Sequence, residues 1–97
     1  MELSQIKEIV LSRYAVSRKI EDLMEDEWFS EEDLIHCIAY ATQIYKEERD
    51  ELHQAVDGYK YTIIGSDSTG HRFYTTGKVL RDYLGQYYFF ITAHEAD

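Results

Sequence analysis

The chain has no proline, one cysteine and only ten lysine and arginine residues against nineteen acids. Without proline there is no proline-rich low-complexity tract, and element boundaries have to come from caps and turn residues. The lone Cys37 excludes an intrachain disulfide and a thiolate metal cluster built from one chain, and it points to a reducing compartment. No apolar run approaches the roughly 18 residues of a membrane span. The Met-Glu-Leu-Ser start carries neither a basic leader nor an apolar segment. The expectation is a cytoplasmic protein with no membrane partner. The shortage of bases argues against nonspecific binding to nucleic acid, since affinity for a phosphate backbone comes largely from Lys and Arg displacing counterions.

What is present is enough for one packed domain spanning residues 1–97. A chain of 97 residues that is 44% hydrophobic and 30% charged has a globular composition, and nine Tyr and four Phe supply large apolar surfaces. The net charge of −9 is unevenly spread. Residues 1–57 hold 15 acids and 6 bases, while residues 58–97 hold 4 of each. All of the excess acidity belongs to the first half, so a basic or neutral functional surface has to be sought in the second.

The first half reads as helical. Ile6, Ile9 and Val10 repeat at helical spacing behind Ser4, with Leu3 outside as a staple. Ser17 is positioned to cap a helix from Arg18 to about Glu27, whose Ile20, Leu23 and Met24 share one face. Acids at Glu25, Asp26 and Glu27 lie at its C-terminal end, where the helix dipole opposes them and helps to end it. Ser30 followed by Asp33 is a capping box opening a helix that carries Leu34, Ile35, Ile38 and Ala41. Between 42 and 57 the pattern weakens to a short strand over Thr42–Tyr45 and a helical turn over Glu47–Val56.

After Gly58 the period becomes two. Tyr59, Tyr61 and Ile63 alternate with Lys60, Thr62 and Ile64, which predicts a strand. The stretch Gly65–Gly70 is a hairpin turn onto a second strand, Arg72–Leu80, with Gly77 at a bulge. Arg81–Gly85 is a second turn, and Gln86–Ala93, apolar on both faces, reads as a central strand. The predicted fold is α+β, with N-terminal helices packed on a C-terminal antiparallel sheet of three to four strands.

Candidate functional residues fall mostly in the second half. His71 and His94 lie at strand ends near Arg72 and Tyr74, the catalytic candidates; Lys78, Arg81, Tyr87 and Tyr88 are the binding candidates. Aromatic and cationic side chains on a sheet can stack bases and hold phosphates, although the same rings also serve to cover a thin core. His36 and His53 have no ligand-like spacing, so no metal or other cofactor is expected. Cys37, between Ile35 and Ile38, reads as core packing. The glycine turn lacks the lysine and following helix of a phosphate-binding loop.

The helix bearing Arg18, the Phe29-Ser30-Glu31-Glu32-Asp33 helix start, the Tyr59–Gly65 strand, the turn at Gly70 and the closing Tyr88-Phe89-Phe90-Ile91-Thr92-Ala93 strand together resemble an uncharacterised bacterial domain family. That family is distantly similar to BrnT-type and RelE-like toxins. The resemblance implies helices on a curved antiparallel sheet and an RNA-cleaving enzyme paired with an antitoxin. In such an enzyme the base, acid and cationic roles would fall here to His71, His94, Tyr74 or Tyr88 with Arg72, Lys78 or Arg81. Where that family begins its first motif with His-Ala-x-x-Arg, this chain reads Tyr14-Ala15-Val16-Ser17-Arg18. The missing His and the acidity favour a noncatalytic protein acting through protein contacts or self-association. A toxin-like ribonuclease, with RNA as its partner, is the alternative, and a small-molecule binder with a Tyr-lined cavity is a third.

Overall fold

The computed structural model describes residues 1–96 as an α+β fold in which three helices cover one face of a five-stranded sheet. The order of elements is α1 (Leu3–Ser12), β1 (Tyr14–Val16), α2 (Arg18–Glu25), α3 (Glu31–Tyr40), β2 (Ile44–Arg49), β3 (Tyr59–Ser66), β4 (Arg72–Asp82) and β5 (Gly85–Glu95). Strands β2 to β5 form an antiparallel meander, and β1 adds to β5 in parallel, giving the order β1-β5-β4-β3-β2. The sheet is therefore five-stranded and mixed, not an antiparallel sheet of three to four strands. Among the described residues no helix is long and apolar enough to cross a membrane.

The helix starts follow from local chemistry. Ser17 accepts a hydrogen bond from the Ile20 N–H at 3.2 Å, and Ser30 and Asp33 form the reciprocal box. At α1 the cap is Glu2, not Ser4: the Gln5 side chain reaches back to the Glu2 N–H at 2.8 Å. The close of α2 is a Schellman motif, with the Trp28 N–H on the Leu23 carbonyl and the Glu27 N–H on that of Met24, both at 3.0 Å. Glu27 sits there with φ 63°, a left-handed conformation that usually falls to glycine.

One strand escaped the sequence pattern, and another was read only at its start, where the expected Thr42–Tyr45 strand overlaps Ile44 and Tyr45 of β2. The expected helical turn over Glu47–Val56 gives way to β2, which runs to Arg49 and is followed by turns. Beyond Ile44 its residues are all exposed, so no alternation of apolar and polar residues marks it; it is held by its ladder to β3. Strand β1 has only three residues and borrows its stability from β5, through Tyr14↔Tyr88 to Val16↔Phe90. Its Ser17 N–H then bonds to the Phe90 carbonyl at 2.9 Å, and the Ser17 hydroxyl donates to the Ile91 carbonyl at 2.7 Å. One serine thus caps α2 and ends the β1–β5 pairing.

The core lies between the helices and the inner sheet face. Ile6 and Val10 of α1, Ile20 of α2 and Leu34, Cys37 and Ile38 of α3 meet Tyr61, Ile63, Phe73, Val79, Tyr88 and Phe90. Two glycines set the spacing. A Cβ on Gly65 would stand 2.2 Å from the Cys37 carbonyl oxygen, so α3 approaches β3 closely only because that side chain is missing. A Cβ on Gly77 would stand 2.4 Å from the Tyr88 ring. Gly77 borders the bulge in the β4–β5 ladder, but the extra residue is Ile91 of β5: Thr76 pairs with Thr92 and Gly77 with Phe90.

Candidate functional site

Three of the predicted site residues come together on the open sheet face. Alternation along β4 and β5 puts Arg72, Tyr74 and Thr76 beside Thr92 and His94, through the pairs Tyr74↔His94 and Thr76↔Thr92. Tyr74 and His94 touch edge to face with ring centroids 3.9 Å apart, and the Tyr74 hydroxyl is hydrogen-bonded to His94 Nε2. The His94 Nδ1 donates to the Glu95 carbonyl at 2.9 Å. Thr62 and Thr76 share a hydroxyl–hydroxyl bond of 3.1 Å on the same face. With Tyr45, Lys46 and Glu48 of β2 these residues line a shallow groove of about 510 Å³. A hydroxyl, an imidazole and a guanidinium in one groove can hold a polar or anionic group.

The remaining candidates go elsewhere. Lys78 is buried, with its ammonium 3.1 Å from Asp50 and 2.9 Å from the Gln54 side-chain oxygen. The turn segment 50–56 closes over it, and the Val56 N–H takes the Val79 carbonyl at 2.9 Å where β3 no longer lies beside β4. Burial alone would raise the Asp50 carboxyl. The Ala55 and Gln54 N–H groups, with Lys78, outweigh that and hold it at about 2. Tyr88 is fully buried in the core, its hydroxyl without a hydrogen-bond partner and its pKa pushed well up by burial. Neither residue can contribute to a surface.

Arg81 lies at the far end of β4, paired with Gln86, away from Arg72. Tyr87 carries the Arg13 guanidinium over its ring at 4.7 Å, while Arg13 makes a bidentate pair with Asp82 at 2.9 and 2.7 Å. Those contacts fasten the end of α1 to the β4–β5 turn. His71 belongs to the β3–β4 turn. There the Asp67 carboxylate accepts from the Thr69 and His71 N–H groups at 3.0 and 2.9 Å and from the Thr69 hydroxyl at 2.9 Å. The same turn brings ligand atoms of Asp67, His71 and Glu95 within 4.8 Å of one another, a grouping no sequence spacing announced. Asp67 already serves as the organiser of the turn, and one oxygen takes three bonds there.

Among the residues given bland readings, His36 bonds to the Ser66 carbonyl at 2.8 Å and stacks on Tyr40. Cys37 is buried, with its thiol pushed up to about 11 by desolvation, so it is a poor nucleophile.

A second, more apolar cleft went unnoticed in the sequence. It occupies about 600 Å³ between α2, the α2–α3 link and the end of β5, lined by Lys19, Leu23, Trp28, Phe29 and Thr92–Glu95. Trp28 is 72% exposed, unusual for the largest apolar side chain in the molecule. The Schellman motif explains its position, since the residue after the left-handed one packs back toward the third residue from the helix end, here Leu23. Phe29 is anchored on Phe73 at 5.4 Å, edge to face. The sequence signal was available in Trp28 itself, a large aromatic one turn beyond Met24 in a helix end made of acids. The tyrosine-lined cavity of the small-molecule reading is not this cleft; tyrosines line the shallow groove instead. No protein-family model matches the chain, and neither the curated proteins nor the solved structures contain a match to it.

Proposed function

We propose that this protein is a noncatalytic interaction domain that works through contacts with another protein. The observation that carries this reading is the exposed Trp28 over an apolar cleft at the end of β5. Exposed tryptophan beside other apolar groups is the composition of binding hot spots, where a large rigid side chain buries area at little entropic cost. The fate of the cationic candidates supports it. Lys78 is neutralised inside the fold and Arg81 is distant, which leaves Arg72 as the one predicted cation beside Tyr74 and His94, with Lys46 of β2 in the same groove.

The ribonuclease reading has one observation in its favour, the meeting of Arg72, Tyr74 and His94 in a groove. Both readings are tested by incubating the purified chain with total RNA and by expressing it in growing cells. The interaction reading expects intact RNA and unaltered growth. RNA cleavage that disappears in Arg72→Ala would overturn it and establish the ribonuclease.

A further inference from the structure

Strand β5 is apolar on both faces, and the helices cover one of them. On the inner face Tyr88 and Phe90 are buried, whereas Tyr87 and Phe89 on the outer face stay half-buried, although β5 has a neighbouring strand on each side. The register sets Leu80 of β4 against Tyr87 and Ala15 of β1 against Phe89, so all four share the outer face. A sheet with one solvated face ordinarily alternates apolar inside with polar outside. The half of the outer face around Thr62, Thr76 and Thr92 keeps to that pattern. The half around Leu80 and Phe89 does not. The turn segment 50–56 closes over Lys78 there and itself leaves Leu52 and Val56 exposed.

Independently of the Trp28 reading, we infer that this face is where two copies of the chain meet. They pack sheet to sheet about a twofold axis, with Leu80, Tyr87 and Phe89 of one copy against the same residues of the other. The product is a four-layer dimer, helices outside and two sheets inside. Its helix-side surfaces, α2 and Trp28 among them, lie away from the contact.

Charge makes a second copy the occupant. The ions that border the patch are neutralised within the chain: Arg13, over the Tyr87 ring, by Asp82 at 2.7 Å, and Lys78, beside Phe89, by Asp50 at 3.1 Å. On the same face Lys46 and Glu48 stand 3.7 Å apart, and Lys60 lies across from Glu48. Arg72 is eight residues along β4 from Leu80, roughly 26 Å at about 3.3 Å per residue. The patch therefore offers a charged partner little to select, while an identical neutral patch can approach it. The net charge of −9 arises in residues 1–57, most of it on the helices and their links across the fold. With about 10 Å between the sheets and about 10 Å from each sheet to its helices, the two acidic layers stand roughly 30 Å apart. That is about three Debye lengths at 0.1 M salt, so their repulsion is screened. A contact through the helices would instead bring acid against acid.

The test is sedimentation equilibrium of the intact chain at pH 7, from about 1 μM to about 1 mM. A monomer–dimer equilibrium is expected. Its dissociation constant rises about tenfold or more in Leu80→Arg and in Phe89→Ser. It does not rise as salt goes from about 50 to 300 mM, since salt screens the only repulsion left. Circular dichroism melts establish that each variant is folded. Filtered NMR on a mixture of labelled and unlabelled chains needs no variant: the Leu80 methyls should show contacts to aromatic rings of the second copy. Trp28→Ala should leave the dimer unchanged, which separates this contact from the Trp28 reading. A chain that stays monomeric to about 1 mM overturns the inference. So does a dimer that folded Leu80→Arg and Phe89→Ser leave as tight as before, one that Trp28→Ala dissociates, or one whose cross-copy contacts fall on the helices.

Discussion

Single residues whose surroundings contradict their chemistry are the most informative. Tyr88 buries a hydroxyl with no partner among the core rings, at a position where phenylalanine would fill the same space. An unpaired buried hydroxyl carries a desolvation penalty of about 1–3 kcal/mol. Tyr88→Phe is therefore expected to leave stability unchanged or raise it by about 1 kcal/mol; a loss above that in urea unfolding would mean the hydroxyl is bonded in solution. Asp50 is the opposite case, a buried carboxylate with every lone pair in use. Its pKa is held at about 2 against an ordinary 3.8. A carboxylate with a depressed folded-state pKa binds more protons when unfolded. Its contribution is complete above about pH 4 and is lost as pH falls through about 2. Unfolding free energy measured from pH 6 to 2 should fall steeply at the acid end, and Asp50→Asn should flatten that slope. Asp50→Ala, which strands the Lys78 ammonium, is expected to cost about 3–5 kcal/mol.

At the scale of elements, the close of α2 combines mild strain with exposure. Glu27 occupies a left-handed conformation at φ 63° and a carboxylate stands at the negative end of the helix, both unfavourable. Glu27→Gly removes both, and stability is expected to rise by about 0.5–1 kcal/mol despite the added freedom of the unfolded chain. Thermal melts followed by circular dichroism measure this, and a fall in Tm would show that the Glu27 side chain makes a contact of its own. The elements also differ in how visible they were beforehand. The capped helices α2 and α3 and the hairpin β3–β4 could be read from Ser17, Ser30, Asp33 and the alternation at Tyr59–Ile64, because each is fixed by neighbours within a few residues. Of strand β2 only the start could, within the expected Thr42–Tyr45 strand, because exposed Lys46, Glu47, Glu48 and Arg49 have no buried face to impose a period.

For the whole molecule, uneven charge is the dominant property. Most acids of residues 1–57 lie on the helices and their links, the rest on β2 and the turns after it; Asp33, Asp50 and Asp57 find partners in the second half, while Glu21, Asp22, Glu25, Asp26 and Glu27 are exposed. Their mutual repulsion opposes the compact state and is screened over a Debye length of about 10 Å at 0.1 M salt. Tm at pH 7 should therefore rise as sodium chloride goes from about 10 to 300 mM, the reverse of a fold held by surface ion pairs.

The amino-acid sequence by itself determined the class of the fold, the starts of α2 and α3, the central place of β5 and the segregation of charge, since these depend on composition and on contacts a few residues apart. Only the tertiary structure decided what Tyr14–Val16 pairs with, because its partner lies about 74 residues away and three residues carry no period of their own. It also decided that Lys78 and Tyr88 are interior and that Arg72, Tyr74 and His94 meet. Alternation along a strand tells which residues share a face, but which loop covers that face, and where a neighbouring strand stops, depends on chain closing over distances no local pattern spans.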